Sequence, residues 1–194
     1  MLTVARVLAV VAVVSVVGVS AVALVVRPGD PDRWLVGGES RVRLGSGWEL
    51  TGPGTVVQYP TRAGTLRVSA PAVYAAGHCR GTGSRAFAGF LPVATGSTHR
   101  VARAVAARWA RAAAGATGRP GAVTTRALDS GHRADATVRA PAGECPAPRA
   151  RVSVLALDLP GERVRPLVLV RDLDAPGALG DADAERLLAS AESG

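Results

Sequence analysis

Apolar positions fall into three patterns along this 194-residue chain. The first is continuous. Val7 to Val26 is an uncharged apolar run of 20 residues, closed by Arg27-Pro28-Gly29-Asp30. A hydrocarbon core about 30 Å thick needs roughly 20 helical residues to cross it. The run therefore predicts one N-terminal transmembrane helix. The competing reading is a secretory signal, with Arg6 as the basic start and cleavage near Ala23 in Ala21-Val22-Ala23. Leu24-Val25-Val26 carries the apolar run past that site and favours an uncleaved anchor.

The second pattern is alternation, the mark of half-buried strands. Thr65 to Ser69 sets Leu66 and Val68 against Arg67. Gly47 to Leu50, Thr55 to Tyr59, Val73-Tyr74, Arg85 to Val93, Val123 to Leu128, Ala134 to Arg139 and Val164 to Val170 also read as strands. In Arg151 to Leu157, Val152, Val154 and Ala156 alternate with Leu155 and Leu157. Both faces of that strand are apolar, which predicts a central place in a sheet.

The third pattern is helical. Thr98 to Ala114 has no Gly or Pro and is rich in Ala. Val101, Val105 and Trp109 recur at i, i+4 and i+8 and make one apolar face. Ser97 or Thr95 is the expected cap, and Gly115 the stop. Arg100, Arg103, Arg108 and Arg111 project at about 0°, 300°, 80° and 20° around the axis, a broad basic stripe. Such a stripe is what any solvated helix face presents. Its functional reading is contact with anionic lipid or cell-wall polymer. A second helix is expected over Asp181 to Ala191, capped by Asp181 and burying Ala184, Leu187, Leu188 and Ala191.

These patterns divide the chain into an anchor or signal over 1–27, a linker and entry segment over 28–46, and one domain over 47–194. Breakers Pro28, Gly29, Pro31, Gly37 and Gly38 mark the linker.

Charge changes the picture less than it promises. The formal net charge is +8, but the chain has no lysine, asparagine or isoleucine. Arginine here partly stands in for lysine, as codon usage in a GC-rich genome produces. Aromatics make up 4% of the chain, too few for the stacking platforms that nucleic-acid binding would want. Cys79 and Cys145 lie in the part expected outside the membrane, where thiols oxidise. A disulfide between them would close a loop worth about 4 kcal/mol. Two free buried thiols, or a catalytic cysteine beside His78, are the alternatives. The oxidising compartment also orients the chain, because the charges flanking the apolar run are ambiguous.

Candidate chemistry is sparse. Asp172-Leu173-Asp174, Gly177 and Asp183 mimic the start of a calcium loop, but Pro176 replaces a ligand and Asp183 the closing glutamate. Gly81 to Ala86 lacks the third glycine of a dinucleotide loop. His78, His99 and His132 are scattered, with no metal-ligand spacing. Trp34, eight residues past the apolar run, either packs or sits near a membrane interface.

Taken in order, the tether, Gly47-Trp48, Cys79, Ser84-Arg85-Ala86, Arg108-Trp109-Ala110, Cys145-Pro146, the strands ending near Asp172 and the last helix form a recognisable series. It resembles the extracytoplasmic, often membrane-anchored domains of unknown function in actinobacteria. Its overall pattern is similar to the Mog1/PsbP-like α/β/α sandwich over Trp48 to Ser190. The resemblance implies an α+β fold, an antiparallel sheet with helices packed on its two faces, and supplies no catalytic residue. The expected function is a non-catalytic binding or assembly module on the outer face of the cell membrane. It has one integral span and no cofactor or metal. Its expected partners are anionic lipid, cell-wall polymer or another envelope protein, with no nucleic acid. The alternative is a secreted or anchored hydrolase-like enzyme whose site is unrecognised.

Overall fold

The computed structural model describes residues 33–61, 64–78, 83–139 and 147–194. The elements in chain order begin with β1 (Trp34–Gly37), β2 (Ser40–Arg43), β3 (Trp48–Leu50), β4 (Val56–Thr61), β5 (Gly64–Ser69), β6 (Ala72–Tyr74), β7 (Ala86–Phe90) and β8 (Ala94–Thr95). They continue with α1 (Thr98–Ala114), β9 (Arg119–Pro120), β10 (Thr124–Leu128), β11 (Gly131–Arg139), β12 (Arg149–Leu159), β13 (Arg163–Leu173), α2 (Asp181–Ala189) and β14 (Glu192–Ser193).

β12 and β13 form the centre. They pair antiparallel along their whole length, from Arg149 opposite Leu173 to Leu159 opposite Arg163. The larger sheet has nine strands in the order β10-β11-β12-β13-β7-β6-β3, with β8 beside β13 and β9 beside β11. β1, β2 and β14 make a three-stranded sheet, and β4 and β5 a hairpin.

Alternation on β12 sends side chains into two separate cores. Val152, Val154 and Ala156 face α1, where Val101, Ala102, Ala106, Trp109 and Ala110 cover them. Leu155 and Leu157 face the other way, onto Leu35, Val42, Leu44, Trp48, Leu187 and Leu188. α1 begins at Ser97, whose hydroxyl accepts from the Arg100 N–H, and stops at Gly115, where φ is +62°. Trp109 is 2% exposed and sits among Tyr59 and Phe87, ring centroids 5.7 and 5.8 Å away. Val101 is buried beside it and Val105 half-buried, as the i, i+4, i+8 spacing predicts. The β4–β5 hairpin presses Leu66 and Val68 onto the same core. Gly89 in β7 permits that approach, because a Cβ there would collide with the Val68 side chain.

The expected α/β/α sandwich is corrected by this architecture. Strand accounts for 49% of the described residues, against two short helices of 17 and 9 residues. The molecule is built mostly of antiparallel sheets. The reason lies in the stretch expected to be a linker. Within 28–46, Leu35, Val42 and Leu44 are buried, and the β1–β2 pair carrying two of them covers much of the sheet face where a helix was expected. Gly37 and Gly38, read as breakers, lie at the hairpin turn, with φ of +65° at Gly38.

The expected single-pass anchor is corrected as well. Among the described residues no helix is long and apolar enough to cross a membrane. Val7 to Val26 lies outside the described residues. The cell-membrane localisation and signal-anchor character inferred from that run therefore have no structural counterpart and are set aside. The expected disulfide, Cys79 to Cys145, lies outside the described residues. No bridge occurs among the described residues.

Three substitutions test α1 and the core beneath it. Trp109→Ala should cost about 3–5 kcal/mol in urea unfolding, as for a large buried aromatic. Arg103→Ala, on the exposed side of the same helix, should stay within about 0.5 kcal/mol of the unmodified chain. Burial, with the nearby Asp172 charge, pushes the Tyr59 phenol up to about 12. A raised folded-state pKa means its contribution to stability is complete below about 10, the unfolded value. It should be lost as pH rises towards about 12. Tyr59→Phe should flatten that part of the alkaline unfolding profile.

Candidate functional site

The four arginines expected to form a stripe do form one. Arg100, Arg103, Arg108 and Arg111 are all exposed on α1. Among the described residues, none of their guanidinium groups makes a hydrogen bond or ion pair. α1 itself, THRVARAVAARWARAAA, carries no acidic residue. Its opposite side is locked into the core by Trp109 and Ala110, so the basic side cannot turn away from solvent.

On the far face of the sheet the charges are arranged differently. Arg133 is 4% exposed and donates to Glu185 at 2.7 Å and Asp135 at 2.9 Å. Ser153 Oγ donates to Asp135 at 2.5 Å, and Arg126 reaches Glu185 at 3.0 Å. The network fastens α2 to β10, β11 and β12. The hydrogen bond from Arg133 holds the Glu185 carboxyl below the usual carboxylate range against the opposing effect of desolvation, with Arg126 adding to it. Arg171, also 4% exposed, donates to the Leu179 carbonyl at 2.8 Å and to Asp181. That pairing corrects the expected cap. Asp181 is the first helical residue, Gly180 is the cap, and no side chain caps the helix. The Asp181 carboxylate is drawn back to Arg171, which holds its pKa down.

The calcium-loop mimic comes apart in three dimensions. Asp172 meets Arg85 at 2.9 Å, Asp174 meets Arg149 at 2.5 Å and Asp183 pairs with Arg186. Each carboxylate has its own guanidinium. Among the described residues no group of three or more His, Cys, Asp or Glu is placed to hold a metal. Trp34 packs under Arg41 and Arg43, whose guanidinium carbons lie 4.5 and 5.1 Å from its ring.

Two of the scattered histidines meet. His99 and His132 lie edge to face with centroids 5.4 Å apart. Thr98 Oγ1 is 2.9 Å from His132 Nδ1, and Thr125 Oγ1 is 3.3 Å from His99 Nε2. The distances suit a hydroxyl and a base, but Thr98 is only 6% exposed beneath the start of α1. No spacing rule links positions so far apart in the chain; the packing of the start of α1 on β11 and β10 brings them together.

A family model for a domain of unknown function, DUF8017, matches residues 44–193. The chain belongs to that family. Actinobacterial origin and a Mog1/PsbP-like relationship are no part of that match. No curated protein matches the chain.

The Glu185 network gives an acid-side prediction. Because its folded-state pKa is lowered, its contribution is complete above the ordinary carboxylate range and is lost as pH falls through the lowered value. Glu185→Gln should therefore reduce the thermal midpoint at pH 7. The two melting curves should draw together as the pH is taken below about 4.

Proposed function

We propose that this domain is a non-catalytic binding module whose α1 face docks on a phosphate-bearing anionic surface. One observation carries the reading. Four exposed guanidinium groups share a face of an acid-free helix, and none has a carboxylate to neutralise it among the described residues. Charges on an ordinary solvated face are commonly interleaved with acids, at i, i+3 or i, i+4 spacing. This face has only alanines, Ala104 and Ala107, between its arginines. Guanidinium groups bind phosphate oxygens through paired N–H donors, so a phosphate polymer or phospholipid headgroup suits them better than a diffuse carboxylate surface.

The enzyme reading has one observation in its favour, the Thr98–His132 contact at 2.9 Å. The burial of Thr98 argues against substrate access, and no third group orients the imidazole in the pairs described.

The test replaces Arg100, Arg103, Arg108 and Arg111 together with alanine in the full chain. Binding is measured to phosphatidylglycerol vesicles, to phosphatidylcholine vesicles and to a soluble glycerol-phosphate polymer. Near an anionic surface each basic residue is worth about 1 kcal/mol. Loss of four predicts a fall of up to roughly 1000-fold. The unmodified chain should also bind more weakly as salt rises. The vesicle and polymer arms separate a lipid from a polymer as the source of phosphate. Equal binding by the quadruple variant, or equal binding to neutral vesicles, would overturn the reading.

A further inference from the structure

The antiparallel registers place arginines side by side on the sheet face turned away from α1. Arg119 in β9 stands opposite Arg139 in β11, and Arg139 stands opposite Arg149 in β12. One pair further along, Thr137 stands opposite Arg151, and Arg151 opposite Arg171 of β13. Directly opposed like charges on neighbouring strands destabilise a sheet. Here five arginines occupy two adjacent rows of cross-strand pairs.

Among the described residues their counter-charges are too few. Asp174 serves Arg149, and the single carboxylate of Asp181 serves both Arg171 and, at 3.4 Å, Arg151. Asp172, the neighbour of Arg171 on the strand, points to the other side of the sheet and is taken by Arg85. Arg119 and Arg139 have no acidic partner among the described residues. Among the described residues, five guanidinium groups thus face two carboxylates.

The surface there is concave. A groove of about 320 Å³ is lined by Arg149, Arg151, Arg171, Thr137, Leu179 and Gly180, among others. That volume lies at the lower end of the range for small-molecule sites. Gly180 is the uncapped N-terminus of α2, which leaves backbone N–H groups and the positive end of the helix dipole at the groove wall. Inside it, Arg171 is buried to 4% exposure, yet among the described residues its Nε has no hydrogen-bond partner. Among the described residues no aromatic side chain lines the groove, which therefore offers no stacking platform for a nucleobase.

We infer that this groove is a binding site for a compact phosphate-bearing group of small-molecule size, held by Arg149, Arg151 and Arg171. Phosphate offers several oxygens within one small volume, which matches guanidinium forks converging from neighbouring strands. Asp174 and Asp181 occupy part of the site in its absence. The Arg149–Asp174 pair is exposed, 51% and 46% at its two side chains, and yields readily to a competing dianion. This site is separate from the α1 stripe, which lies across the sheet.

Calorimetric titration of the full chain with inorganic pyrophosphate tests the inference. Saturable binding is expected, weakened at least tenfold in the Arg149→Ala, Arg151→Ala double variant. Replacing the four α1 arginines should leave it unchanged, which keeps this test independent of the docking reading. Asp174→Asn removes an internal competitor and should tighten binding. Glu192→Gln, an equal change of charge at the Arg41 pair, should not. Absence of saturable binding would overturn the inference. So would a double variant that binds like the unmodified chain, or equal gains from Asp174→Asn and Glu192→Gln. Tighter binding of citrate than of pyrophosphate would overturn the phosphate assignment.

Discussion

The β12–β13 pair is the constraint on which the other layers depend. Both strands are 11 residues long and fully paired, and both place apolar side chains on both sides. Such a pair must be covered twice, because burial of apolar surface is worth about 25 cal/mol per Å² and leaving either face wet forfeits it. α1 and the β4–β5 hairpin meet one demand. The β1–β2 hairpin, Trp48 and α2 meet the other. The valines and alanines of the first face suit the close approach of an Ala-rich helix, while the leucines of the second pack against the β1–β2 hairpin and α2.

Much of this was legible because the relevant signals are local. The alternation in Arg151 to Leu157, with both phases apolar, places β12 in the middle of the sheet, where it lies. The α1 register follows from Val101, Val105 and Trp109; the Ser97 hydroxyl caps one end of the helix and Gly115, at positive φ, stops the other. What stayed hidden is long-range. Leu35 and Val42 sit among glycines and charges, so their segment reads as a linker until it is seen that the sheet has an uncovered face. The Asp181 cap failed for a similar reason. A local rule assigned its carboxylate to the helix N-terminus, and Arg171, ten residues earlier, took it. Of the candidate site, the α1 stripe is readable from helical periodicity. The arginine rows of the groove are not, because Arg119, Arg139, Arg149 and Arg171 become neighbours only through strand register.

Arginine as sole cationic side chain shapes the interior as well as the surface. Arg85, Arg133 and Arg171 are buried to 6%, 4% and 4% exposure, each with a carboxylate in reach. A buried ion pair contributes little net stability, but removal of one member leaves a charge without compensation and is costly. These pairs therefore act as keys for register. Arg133 joins β11 to α2, Arg85 joins the start of β7 to β13, and Arg171 joins β13 to the entry of α2. A slip of one residue in any of these strands would turn its arginine to the opposite face and strand the acid.

The last strand has a consequence for the order of the chain. β14 lies against β2, and the Gly194 N–H donates to the Glu39 carbonyl. The described domain therefore starts and finishes in the same three-stranded sheet, with its two ends separated by little more than the length of one short strand, roughly 13 Å for four residues. In topological terms the domain is nearly a closed ring. A few added residues would join the ends, and a cut at the exposed turn around Gly161 would open a new pair of termini without breaking either core. The order in which its strands are encoded is thus one of several that the same packing would accept.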